Sequence, residues 1–163
     1  RCSKMHDLDG RTMASLLRSN LKYRVSTVIT LRGTSMLPMF KPGDWITVER
    51  AHAPKVGEIF VFLYKGALTV HRLVKIEDGR AFLKGDNALR LEDVRTEDLI
   101  GRVTEVNGRT PAAFPPELIG IALLVNREFR RCSYSAEKAK KSDIYIQYER
   151  KIRETFPDAK GVI

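Results

Sequence analysis

Apolar and polar positions change their period several times along the chain. Between Leu8 and Tyr23, Met13, Leu16 and Leu17 recur at helical spacing, and Asp9 or Thr12 can cap the start of a short helix. From Val25 to Leu31 the chain turns β-branched and reads as a strand. Gly33 and Pro38 stop that strand from continuing. Further strands are predicted over 45–49, 59–63, 68–76, 81–83 and 100–106. Lys41–Asp44, Pro54–Gly57, Lys65–Gly66 and Asp78–Gly79 supply turn chemistry between them. About six short strands with turn signals every 10 to 15 residues or so predict a mainly β fold, an antiparallel sandwich or partly closed barrel.

Pro111, Pro115 and Pro116 then mark a linker. Beyond it, Glu117 to Arg153 is basic and has the residues of helices. Ile144, Tyr148, Ile152 and Phe156 repeat at i, i+4, i+8 and i+12, a stripe that docks either on the sheet or on a partner, with the sheet the simpler expectation. The expected division is an N-terminal helix or arm (1–24), a β domain (25–110) and a linker with a helical C-terminal segment (111–163).

Composition narrows the picture only a little. The 163 residues are 43% hydrophobic and 30% charged, which suits a folded domain rather than a disordered chain. A net charge of +9 is either a solvated basic surface or a preference for an anionic partner. No run approaches the roughly 18–20 apolar residues of a membrane helix, and Leu118–Val125 falls far short. The polar stretch from Arg1 to Gly10 is no secretory signal. The expected place is therefore cytoplasmic or peripheral to a membrane. A start at Arg1 without Met suggests preceding residues. Cys2 and Cys132 are too few for a disulfide framework and read as free thiols, although a bridge between them is possible.

Ser35 sits where a strand breaks into a tight Gly- and Pro-flanked loop, which can present a side chain to a cleft. A serine nucleophile needs a base within hydrogen-bond reach. The three histidines are His6 in the polar N-terminus, His52 in a loop and His71 inside a predicted strand. Asp86, after Lys84 and Gly85, can orient an imidazole or fix a turn, and Glu92 and Asp93 follow. Each feature alone has a plainer explanation in turns and packing.

Their order is more specific than any one of them. Gly33-Thr-Ser-Met-Leu-Pro38, Lys41-Pro-Gly-Asp44, Val56-Gly-Glu-Ile59, Val70-His-Arg-Leu73, Phe82-Leu-Lys-Gly-Asp-Asn87 and Ile100-Gly-Arg-Val103 resemble the successive motifs of type I signal peptidases. The resemblance spans about residues 30–105. Bacterial signal peptidases and the self-cleaving repressors of the SOS response carry lysine where this chain has His71. The endoplasmic-reticulum, archaeal and some Gram-positive enzymes carry histidine, so this chain resembles the histidine branch. The resemblance implies Ser35 as nucleophile and His71 as general base. It implies Asp93 as the third member and Asp86 in an orienting or structural role, although Glu92 stands at the expected spacing and Asp93 one residue beyond it. Gly33, Thr34 and Met36 are expected to flank the substrate. Gly33-Thr34 replaces the Ser-Gly pair of many relatives, leaving a side-chain oxyanion donor open.

The resemblance further implies cleavage of signal or leader peptides through an acyl-enzyme, with no cofactor or metal. The expected partner is a precursor peptide or protein, with peripheral contact to anionic membrane as an option and no nucleic acid. Family members usually carry a membrane anchor, and none is visible here. Three readings follow: the anchor is lost by truncation, the basic surface binds anionic lipid peripherally, or this is a soluble offshoot that trims a cytoplasmic precursor. Leu37, Pro38 and Phe40 either touch lipid or pack the loop. The alternatives are a self-cleaving, repressor-like regulatory peptidase and a non-catalytic peptide-binding module on the same fold.

Overall fold

The computed structural model describes residues 9–159. The first helix, α1 (Gly10–Tyr23), starts at Asp9, whose carboxylate accepts the Thr12 amide at 2.8 Å. Leu8, His6 and Cys2 lie outside the described residues.

Seven strands follow: β1 (Ser26–Thr30), β2 (Trp45–Arg50), β3 (Ile59–Tyr64), β4 (Ala67–Glu77), β5 (Arg80–Lys84), β6 (Glu92–Arg95) and β7 (Leu99–Val106). They form one antiparallel sheet in the order β1-β2-β7-β3-β4-β5-β6, curled into a half-barrel rather than split into a two-sheet sandwich. Bulges interrupt the β2–β7, β3–β7 and β4–β5 ladders. Such irregularities let one sheet bend. The strand β6 was not expected, because Glu-Asp-Val-Arg lacks strand composition and becomes a strand only by pairing with β5.

The two faces of the sheet bury different partners. On one, Ala14, Leu17 and Leu21 of α1 pack with Ile46, Val48, Ile59, Val61, Ile100 and Val103. On the other, Phe60, Phe62, Leu73, Ala81, Leu83, Val94 and Leu99 form a second cluster. Three C-terminal helices, α2 (Pro116–Arg131), α3 (Ala136–Lys140) and α4 (Asp143–Thr155), bury a third cluster. Val74, Leu89 and Phe114 join that cluster, so the helices are tied to the β half of the chain. Tyr148 and Ile152 are buried within it, while Ile144 and Phe156 pack at its margin. The apolar stripe thus docks within its own chain. Cys132 carries a thiol, 3.6 Å from a Glu128 carboxylate oxygen.

No helix among the described residues is long and apolar enough to cross a membrane. Pro38 and Phe40 are buried and Leu37 half-buried, so this part of the loop packs inward.

Leu118 is fully buried on α2, whereas Leu124 on the same helix is 44% exposed. Leu118→Ala is expected to cost about 2–5 kcal/mol in urea unfolding, and Leu124→Ala less than about 0.5. A single unfolding transition that shifts for Leu118→Ala shows the helices melting with the sheet. A separate early transition shows them as an independent appendage.

Candidate active site

The loop between β1 and β2 is closed at its base by short hydrogen bonds. The Leu31 amide donates to the Asp44 carbonyl at 2.8 Å, and the Gly43 amide donates back to the Leu31 carbonyl at 3.0 Å. The Asp44 carboxylate accepts the Lys41 amide at 2.9 Å and the Asn107 side-chain amide at 3.0 Å. Gly33, at φ 75°, occupies the left-handed region that suits glycine. Ser35 begins the turn that follows, half-exposed, while its neighbour Met36 points into the core at 1% exposure.

Two short contacts define the site. His71 Nε2 lies 2.9 Å from Ser35 Oγ, and His71 Nδ1 lies 2.9 Å from Glu92 Oε2. Both His71 and Glu92 are more than nine-tenths buried. The His71–Glu92 contact is a short pair distance without hydrogen-bond alignment, and among the described residues neither of the two facing atoms has a hydrogen-bond partner. The edge of the Phe62 ring packs on the imidazole at 6.2 Å between centroids.

Strand alternation decides which carboxylate faces His71. Successive residues of a strand face opposite sides of a sheet. β6 pairs with β5 so that Glu92 stands opposite Leu83 and Asp93 opposite Phe82. Glu92 therefore shares the buried face with Val94 and Leu83, and Asp93 faces away. Asp93, expected as the third member, pairs instead with Arg80 at 2.6 Å near the surface. One signal was available in the sequence: Val94 is apolar and belongs inside, and Glu92 two residues earlier must share its face.

Of the two roles expected for Asp86, orienting or structural, the structure places it in the structural one. Its carboxylate accepts both Arg72 Nε and Nη2, at 2.9 and 2.8 Å, in a bidentate pair at most 2% exposed. The Arg72 guanidinium also stacks on Phe114 at 3.9 Å and donates to the Gly57 carbonyl at 2.8 Å. Asp86 thus anchors its loop rather than meeting His71. Removing one member of such a pair strands a buried charge, a loss of about 3–5 kcal/mol.

That loop grips the serine loop. The Asn87 amide donates to the Ser35 carbonyl at 2.8 Å, and Asn87 Nδ2 donates to the Thr34 carbonyl at 3.2 Å. The Asp86 amide points at Met36 Sδ, 3.4 Å away. Met36, expected to flank the substrate, is a packing residue because the turn directs it inward. Gly85 makes the approach possible: a Cβ there would lie 2.6 Å from the Ser35 carbonyl oxygen and 3.0 Å from His71 Nε2. Gly33 and Thr34 stay exposed beside the serine.

A groove of about 500 Å³ runs up to Ser35. Residues 28–31 form one wall and residues 67–70 the other, with Gly10 and Met13 of α1 also lining it. β1 is the end strand of the sheet, and β4 pairs with β5 only from Arg72 onward. Two strand edges therefore face the groove beside the serine.

A family model described as Peptidase S24-like matches residues 12–104, more than half of the chain. The chain belongs to the Peptidase S24-like family. The match takes in Ser35, His71 and Glu92 and leaves out the C-terminal helices. The family covers signal peptidases and self-cleaving repressors alike, on a serine-peptidase fold. No curated protein matches the chain significantly. Among the described residues no group of three or more His, Cys, Asp or Glu is placed to hold a metal ion.

Lys84, on the strand that precedes the gripping loop, is fully buried. Burial pulls its ammonium down to about 8, against the opposing pull of Asp86 and Glu92. In the unfolded chain the same group holds its proton to about 10.5. Between these limits the unfolded state binds more protons, so this group makes the fold more stable as pH rises. The stability difference between the native protein and Lys84→Met is expected to move in favour of the native protein by about 3 kcal/mol from neutral pH to 10.5. A difference that stays constant in urea melts over that range contradicts a buried, charged Lys84.

Proposed function

We propose that this chain is a serine endopeptidase that cuts signal or leader segments from precursor proteins. The observation that carries the reading is the Ser35–His71–Glu92 line, with both contacts at 2.9 Å, at the end of a groove between two strand edges. A serine, an imidazole and a carboxylate in that order make a nucleophile, its base and the group that orients the base.

In the proposed reaction Ser35 Oγ attacks the scissile carbonyl carbon while His71 Nε2 takes the hydroxyl proton. Glu92 holds Nδ1–H toward itself, which leaves the Nε2 lone pair facing the serine and stabilises the imidazolium that forms. The backbone N–H of Ser35 holds the developing oxyanion. His71 returns its proton to the leaving amine, and an acyl-enzyme remains on Ser35. Water, deprotonated by the same imidazole, then releases the new carboxylate and frees Ser35.

The substrate lies extended in the groove and hydrogen-bonds to the edges of β1 and β4. The lining, with Met13, Val28, Leu68 and Val70, suits small or apolar side chains near the cut. The net charge of +9 supports peripheral contact with an anionic membrane surface.

Self-cleavage in the manner of a regulatory repressor is the second reading, and the family match supports it equally. Fluorogenic signal- and leader-type peptides, with the intact protein followed on a gel, separate the two. Turnover in trans is expected, and fragments of the intact protein without turnover would favour self-cleavage. Ser35→Ala and His71→Ala should each lower the rate at least about 10³-fold, and Glu92→Gln by about 10²–10⁴-fold. Asp93→Asn removes only a surface pair and should stay within about twofold. Equal activity in all four variants would sink the peptidase reading.

A further inference from the structure

One peptide group lies between the nucleophile loop and the C-terminal helices. The Asp86–Asn87 peptide donates its N–H to the Ser35 carbonyl at 2.8 Å. Its carbonyl, on the opposite edge of the same planar unit, accepts the Tyr148 hydroxyl at 2.7 Å. Because the unit is planar, rotating its carbonyl away from Tyr148 also turns its N–H away from Ser35. A peptide whose carbonyl accepts a strong hydrogen bond is also a better donor at its N–H.

The tyrosine is itself fixed. Its hydroxyl is 3.5 Å from Lys84 Nζ, which also donates to the Gly85 carbonyl at 3.1 Å and lies 4.6 Å from the centre of the Tyr148 ring. Burial holds the Tyr148 hydroxyl protonated well above the ordinary range, so it stays a donor. Tyr148 is 2% exposed and sits mid-way along α4. It lies outside the stretch that the family match covers.

We propose that Tyr148 is a positioning residue for Ser35, acting through the Asp86–Asn87 peptide, so that the C-terminal helices are part of the catalytic apparatus. The proposal rests on the peptidase reading above. Tyr148 reaches neither His71 nor the groove through any of these contacts. Its loss should therefore slow the chemical step without weakening substrate binding.

The test uses the whole chain with a fluorogenic leader-type peptide, and a fluorophosphonate that reports directly on Ser35. Tyr148→Phe keeps the ring and deletes the hydroxyl. Lys84→Met removes the other partner of that hydroxyl. Ile152→Val, one turn further along α4, trims the same buried cluster without touching the polar chain. Tyr148→Phe is expected to lower kcat and the fluorophosphonate rate by about 10- to 100-fold, with KM within about twofold. Lys84→Met should move kcat in the same direction, and Ile152→Val should leave it unchanged. Thermal melts identify which variants are folded, and either folded polar variant decides the matter. A folded variant with native kcat overturns the proposal, as does an equal loss in Ile152→Val. If both polar variants lose the native melt, the hydroxyl serves the fold rather than the site, and the proposal also fails. A wild type inert toward both peptide and fluorophosphonate is a different result, and it removes the peptidase reading itself.

Discussion

The hydrogen bond from the Asn87 amide to the Ser35 carbonyl holds the two parts of the site together. Ser35 lies between β1 and β2, at one side of the sheet. His71 and Glu92 lie on β4 and β6, on the other side. Strand pairing alone sets the imidazole against the carboxylate, because β4 and β6 flank β5 and present both residues on one face. Pairing does not bring the serine to them. The loop of Gly85, Asp86 and Asn87 does, and it needs a residue without a Cβ at its closest approach to Ser35.

That loop is unusually well secured. Arg72 and Asp86 clamp it from within by a buried bidentate pair, and Phe114 stacks on the guanidinium. Asn126 on α2 donates to the Leu89 carbonyl just beyond it at 2.9 Å. Arg90 lies over the rings of Phe129 and Tyr134. The C-terminal helices therefore serve more than bulk burial. They fix the backbone that sets the distance between Ser35 and His71.

How much of this was legible in the sequence depends on the range of the interaction. The strands built on β-branched residues and punctuated by Gly, Pro and Asp-Gly were readable from local chemistry. So was the stripe that buries Tyr148 and Ile152. The nucleophile loop and His71 stood out through the order of their motifs. That Glu92 rather than Asp93 faces His71 was not legible, because β6 carries three charged residues in four and reads as loop. Its alternation exists only once it pairs with β5. Met36 was assigned to the substrate for its place beside Ser35, but the turn decides where its side chain points. Nothing local marks Tyr148 as a neighbour of Asp86, 62 residues away.

In the proposed site Glu92 holds the His71 ring with its proton on Nδ1 and its lone pair toward Ser35. Nitrogen NMR of protein labelled at histidine reads this directly, since the two ring nitrogens differ in shift according to which carries the proton. Neutral His71 is expected to carry its proton on Nδ1, with Glu92→Gln shifting this resonance and Asp93→Asn leaving it in place. A proton on Nε2, or a His71 signal indifferent to Glu92 and moved by Asp93, would contradict it.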